Sequence, residues 1–141
     1  MIVALACDHA GFYYKESIRK ALLERGVSVQ DFGAHSEEPV DYPDIVRPAA
    51  EAVARNDCQR GIIVGGSGNE AIVANRIRGI RCAVVWNLRT AELSMAHGNC
   101  NMIAIGQRMM TETDALAIVD HWLAATFAGG RHQRRIDKID V

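Results

Sequence analysis

A three-layer α/β/α sandwich around a five-stranded parallel, Rossmann-like sheet is the fold class this sequence predicts, on two observations. Five short apolar runs recur along the 141 residues, and segments with apolar residues at i, i+3, i+4 and i+7 separate them. The runs lack strict polar alternation, which indicates strands buried on both faces, and strand–helix alternation at this spacing indicates a parallel sheet covered by helices.

The first strand is expected over Ile2 to Cys7, followed by a helix with Ile18, Ala21 and Leu22 on one face. Val27 to Phe32 forms the second, leading to a helix with Ile45, Ala49, Ala52 and Val53. Gly61 to Val64 is the third, and after Gly68 a helix holds Ile72, Val73 and Ile77. Cys82 to Trp86 precedes a helix near Thr90 to Ala96; Met102 to Ile105 closes the sheet, and Ala115, Ile118, Val119 and Trp122 make the clearest helical stripe. After Phe127 the pattern changes to Gly129-Gly130-Arg131-His132-Gln133-Arg134-Arg135. The chain therefore reads as one α/β domain over 1–127 and a tail over 128–141, a helix whose Ile136 and Ile139 suit docking on a partner subunit.

A chain of this length buries roughly 70% of the surface its unfolded form exposes, so it needs no metal or disulfide staple. Sixteen Lys and Arg balance seventeen Asp and Glu, for a net charge of -1, leaving no global field to draw in nucleic acid or an acidic membrane. No apolar run approaches the roughly 20 residues of a membrane span. A soluble, cytoplasmic protein is expected. Cys7, Cys58, Cys82 and Cys100 form no C-x-x-C pair, and reduced thiols are the default.

In open parallel sheets, ligands bind beyond the carboxyl ends of the strands. The segments there are polar and glycine-rich: Asp8-His9-Ala10-Gly11, Gly33-Ala34-His35, Gly65-Gly66-Ser67-Gly68-Asn69-Glu70, Asn87-Leu88-Arg89 and Gly106-Gln107-Arg108. The third suits an anion, since glycines let backbone N–H groups approach it and the following helix adds partial positive charge. Its G-x-G-x-x-A match (Gly66, Gly68, Ala71) invites a dinucleotide reading, but it follows the third strand, and the fourth ends in Trp86-Asn87 without a ribose-binding acid.

Glu70 reads equally as a partner for the helix dipole and as a general base beside an N–H-lined pocket that stabilises an enediolate. Ser67 is either a helix-start hydroxyl or a further donor to that oxyanion. Asp8 and His9 suit sugar hydroxyl and phosphate recognition, although Asp8 also fits as the cap of the next helix. His97 ends a helix, where imidazole complements the dipole. Arg131 and Arg135, four apart, share a helical face suited to a phosphate, while Arg134 points elsewhere. A thiol nucleophile at Cys7 or Cys100, and a metal held by Asp8, His9 and His97, are weaker alternatives.

Cys7-Asp8-His9-Ala10-Gly11, Asp41-Tyr42-Pro43-Asp44, Gly66-Ser67-Gly68 with Ala74-Asn75, His97, Gly106-Gln107-Arg108 and Gly130 to Arg135 together resemble the type B ribose-5-phosphate isomerases, a family that includes the galactose-6-phosphate isomerase subunits. The resemblance covers essentially the whole chain in order. It implies an aldose–ketose isomerase that needs no metal or cofactor, works through a cis-enediolate, and forms a homodimer, or dimers paired into a tetramer, with active sites shared between subunits. It further implies that Asp8 contacts the sugar ring, His97 assists ring opening, and Ser67 with the N–H groups of Gly66, Gly68 and Asn69 holds the enediolate. Tyr42 and Asn99 would line the sugar pocket, and His9, Arg108, Arg131 and Arg135 would bind phosphate.

One group within the family carries a cysteine base at the position of Gly65; a second has glycine there and a glutamate that aligns with Glu70. This chain resembles the second group, with two departures. The usual Gly-Gly-Ser-Gly-Asn-Gly-Glu is one residue shorter here, and Gly98 replaces the asparagine that follows the catalytic histidine, leaving Asn99 one position on. Ribose 5-phosphate is the expected substrate. A four- or six-carbon sugar phosphate, and a non-catalytic sugar-phosphate-binding protein, are the alternatives.

Overall fold

The computed structural model describes all 141 residues. Its strands are β1 (Ile2–Cys7), β2 (Ser28–Asp31), β3 (Arg60–Gly65), β4 (Cys82–Val84) and β5 (Met102–Gly106). Its helices are α1 (Phe12–Glu24), α2 (Tyr42–Ala54), α3 (Ala71–Ala74), α4 (Leu88–Ala96), α5 (Glu112–Ala124) and α6 (Arg131–Ile136). All strand pairs are parallel, in the order β2-β1-β3-β5-β4. The direction of winding reverses between β1 and β3, and the point beyond Cys7 and Gly65 is where sheets of this kind bind ligands.

Alternate residues of the strands feed two cores. Val3, Leu5, Ile62, Val64, Ile103 and Ile105 face α1, α4 and α5, around the fully buried Trp122. Ala4, Ala6, Ile63 and Ala104 face α2 and α3, whose Ala49, Ala50 and Ala52 let helix and sheet approach closely. No helix is long and apolar enough to cross a membrane.

The structure shortens three predicted elements. β2 is an edge strand whose side chains alternate between exposed and half-buried, because only β1 flanks it. β4 stops at Val84: the N–H groups of Trp86 and Asn87 turn to Thr90 Oγ1, and Asn87 Oδ1 accepts from the Thr90 N–H (2.8 Å), a reciprocal cap that starts α4. The helix after Gly68 is only four residues long, and Ile72 is 57% exposed instead of joining a buried stripe. Asn75 explains the stop, since its side-chain amide bonds both the carbonyl and the N–H of Cys82 (2.8 Å each) and ties the chain to β4.

Beyond α5, Gly129 and Gly130 take the left-handed backbone (φ +68° and +57°) that glycine accepts without strain. The chain folds back so that the Ala128 N–H reaches the Ala96 carbonyl (2.9 Å), and the Gly79 N–H donates to the Asp140 carboxylate (3.0 Å). The tail thus lies along its own chain, with Ile136 half-buried and Ile139 exposed.

Candidate active site

Asp8 ends β1 and caps the short turn His9–Gly11, its Oδ1 accepting from the Gly11 N–H (3.0 Å). It is only 7% exposed. Beside it, His9 Nδ1 accepts from the Val40 N–H (3.2 Å), so the neutral ring carries its proton on Nε2 and presents a donor on its other side. Tyr42 opens α2 at the same end of the sheet and packs on the Ala-rich core.

The loop after β3 supplies the rest of this edge. Gly68 sits at φ +93°, and a Cβ there would meet Val84 Cγ1 at 2.8 Å. Ser67 lies across the end of β5, over Gly106, where a Cβ would meet its backbone at 2.8 Å. Both positions require glycine for the loop to lie this low. Arg108 spans the gap on the other side: its N–H donates to the Gly66 carbonyl (3.1 Å), and its guanidinium comes within 3.1 Å of where a Cβ on Gly66 would sit.

Glu70 is the centre of the arrangement. The loop brings its carboxylate directly over Gly65, into the volume a Cβ at that position would fill. The carboxylate is buried, at 5% exposure, and Oε2 has no hydrogen-bond partner. Burial raises its pKa above the usual carboxylate range; the adjacent Asp8 carboxylate adds to the rise, and the N–H groups of Glu70 and Gly68 oppose it. A buried, electron-rich oxygen next to a glycine-lined loop is an arrangement suited to removing a proton from carbon and holding the resulting oxyanion.

His97, Asn99, Arg131 and Arg135 are elsewhere. Helices in a parallel sheet run back against the strands, so His97, at the end of α4, lies near the strands' beginnings. The five residues of β5 separate that edge from the Glu70 edge by about 13 Å at strand rise. Asn99 adopts φ +43° there, and Arg131 and Arg135 stand exposed on α6 nearby. The sequence-predicted residues therefore form two groups: Asp8, His9, Tyr42, Gly66, Ser67, Gly68, Asn69, Glu70 and Arg108 at one edge, and His97, Asn99, Arg131 and Arg135 at the other. Neither Arg108 nor the tail arginines form a salt bridge within the chain.

Two contacts had escaped the sequence reading. His132 stacks on His97, with ring centroids 4.2 Å apart and planes 12° apart. Arg81 bonds the backbone just beyond His97. His132 stood inside the quoted tail motif, so its identity was in view; nothing in the local pattern marked Arg81. The thiol alternative fares poorly: burial pushes Cys7 up to about 12 and Cys100 up to about 11, which keeps both protonated near neutrality. Asp8 and His9 do not meet His97 within the chain, and no three His, Cys, Asp or Glu side chains gather as metal ligands.

The family model described as Ribose/Galactose Isomerase matches residues 3–139. Ribose-5-phosphate isomerase B of Escherichia coli is 42% identical over 138 residues, covering 97% of this chain and 93% of the relative. The structure of Clostridium thermocellum ribose-5-phosphate isomerase B superposes with a TM-score of 0.98 at 44% identity, covering 99% of this chain and 95% of that one. The Mycoplasma genitalium ribose-5-phosphate isomerase B, solved with bound ribulose-5-phosphate, gives a TM-score of 0.94 at 36% identity, covering 98% and 93%.

Proposed function

The chain belongs to the ribose/galactose isomerase family, and from that premise we propose that it interconverts ribose 5-phosphate and ribulose 5-phosphate, with Glu70 as the base. The observation that carries this reading is the Glu70 carboxylate lodged over Gly65, buried, with Oε2 unpartnered. On the open-chain aldose, Glu70 takes the proton from C2, and the electron pair moves onto the carbonyl oxygen to give the cis-enediolate. The N–H groups of Gly66, Gly68 and Asn69, with the Ser67 hydroxyl, stabilise that oxygen. The proton returns to C1 while a hydroxyl proton passes from O2 to O1, leaving the ketose. Tyr42 lines the sugar pocket, and no step asks for a metal or cofactor.

Ring opening precedes this chemistry and falls to Asp8 and His97. The opposite-edge placement of Glu70 and His97 supports a site shared between two copies of the chain, one supplying Asp8, His9, Tyr42, the glycine loop, Glu70 and Arg108, the other His97, Asn99, Arg131 and Arg135. In this arrangement His9, Arg108 and the two tail arginines hold the phosphate. The tail, 128–141, then serves as an assembly and phosphate-binding element appended to the 1–127 domain, with Ile136 and Ile139 facing the partner.

The test is incubation in D₂O with four-, five- and six-carbon aldose and ketose phosphates, following deuterium incorporation and product by NMR. Incorporation and isomerisation with ribose 5-phosphate is the expected result. Turnover of only a four- or six-carbon sugar would reassign the substrate, and phosphate binding without exchange for any sugar would overturn the isomerase assignment.

A further inference from the structure

Arg81 is half-buried one residue before β4 and directs its guanidinium at the chain just past His97. Its Nε donates to the carbonyls of Gly98 (3.0 Å) and Asn99 (3.2 Å), and its Nη2 to that of Asn99 (2.8 Å). Carbonyls beyond a helix end lack intrahelical partners, and a cation there complements the negative end of the helix. The left-handed turn at Asn99 brings both carbonyls within reach of one guanidinium. Arg81 is itself anchored: its N–H donates to Asn101 Oδ1 (2.9 Å), and Asn101 Nδ2 donates to the Gly79 carbonyl (2.9 Å). No carboxylate forms a salt bridge with it. The guanidinium hydrogen bonds go to the two residues that follow His97, while His132 stacks on the face of the imidazole.

We infer that Arg81 is a positioning residue for ring opening, acting through the Gly98 and Asn99 carbonyls to fix the backbone from which His97 projects. This rests on the role given to His97 above. A rigid planar fork across two successive carbonyls sets orientation as well as distance; the ammonium of a lysine, a point charge on a flexible stem, does not. Proton transfer to a ring oxygen depends on that orientation, because the acid must lie within hydrogen-bond reach of the atom it serves.

The two sugar phosphates place different demands on His97. Ribose 5-phosphate closes its aldehyde on the 4-hydroxyl and must be opened before C2 reacts. Ribulose 5-phosphate has its 5-hydroxyl esterified, cannot close a five-membered ring, and reaches the enediolate at Glu70 and the glycine loop with no ring-opening step. Conversion of the aldose therefore reads ring opening plus proton transfer, and deuterium uptake at C1 of the ketose reads proton transfer only.

Both rates are measured in D₂O for the intact protein and for Arg81→Lys, Arg81→Gln and His97→Asn, with thermal unfolding as a check on each. Arg81→Lys is expected to slow aldose conversion about 10- to 100-fold, the scale of a 1 Å misplacement, while ketose deuteration stays within about twofold. His97→Asn shows the same split, larger. Arg81→Gln replaces Arg81→Lys if the latter does not fold. A fall of both rates together in a folded Arg81 variant, or of neither, with the split still present in His97→Asn, overturns the positioning role alone. Absence of the split in His97→Asn overturns the reading of His97 and this inference with it.

Discussion

Replacing Glu70 separates two properties that a merely structural carboxylate would keep together. Glu70→Gln is expected to cut kcat by about 10²- to 10⁴-fold, the usual contribution of a general base, while phosphate affinity by titration is retained. Stability should move the other way. The folded pKa of Glu70 is raised above its ordinary 4.5, so its contribution to stability is full below the unfolded value and is lost as pH rises through the folded one. Near neutrality the glutamine variant should accordingly unfold at an equal or higher temperature than the parent. The same shift sets the acid limb of kcat/KM: activity falls as Glu70 protonates, with a midpoint above 4.5, and the limb disappears in Glu70→Gln. Gly65→Ala puts a methyl group where the carboxylate sits; a folded protein with kcat down about 10²-fold is expected, checked by kinetics and thermal unfolding together. At this scale the position of Glu70 was legible, at the helix start after a glycine loop, while the pattern alone left a dipole partner and a base equally open. His132 was not, because its significance is a contact with a residue 35 positions earlier in the chain.

Among the elements, existence and order were easier to read than length, and the reason is side-chain bonding that periodicity does not encode. Ile72, Val73 and Ile77 carry helical spacing, yet Asn75 diverts the chain to β4 after a single turn. A second hidden device joins α1 to β2. Lys15, on the buried face of α1, is fully shielded from solvent and bonds Asp31 (2.7 Å) and Glu16 (2.9 Å). Burial alone would lower its pKa, but the hydrogen bonds its ammonium donates to these carboxylates outweigh it and raise the value. Asp31 in turn accepts from the Gly33 N–H (2.9 Å), fixing the start of the loop that runs on to Val40 and His9. Lys15→Met leaves Asp31 without its buried partner. Because Asp31 is partly exposed, the expected cost is about 2–3 kcal/mol, below the full penalty of a wholly buried broken pair. Urea unfolding measures it, and Lys15→Met combined with Asp31→Asn should recover part of the loss.

For the whole molecule, the decisive fact is that strands and helices run in opposite directions. The sequence placed His97 at a helix end and Glu70 at a helix start; in a parallel sheet those positions belong to opposite edges, so the division was implicit in the element order once the sheet was known. A site shared between copies makes a quantitative prediction. Glu70→Gln and His97→Asn homodimers each lack one half of every site, whereas a mixed dimer has one site with both defects and one with neither. Unfolding and refolding equal amounts together should restore about a quarter of the parent activity, read by aldose conversion; no recovery would place both residues in one chain's site. The separation also has a consequence for ligand affinity. In the proposed shared site a sugar phosphate lies between two chains, so whatever free energy its phosphate would gain there from Arg131 and Arg135 would also strengthen subunit association by mass action. Dilution then acts as an inhibitor, substrate as its antidote, and an apparent affinity measured for such a molecule carries within it the strength of its own assembly.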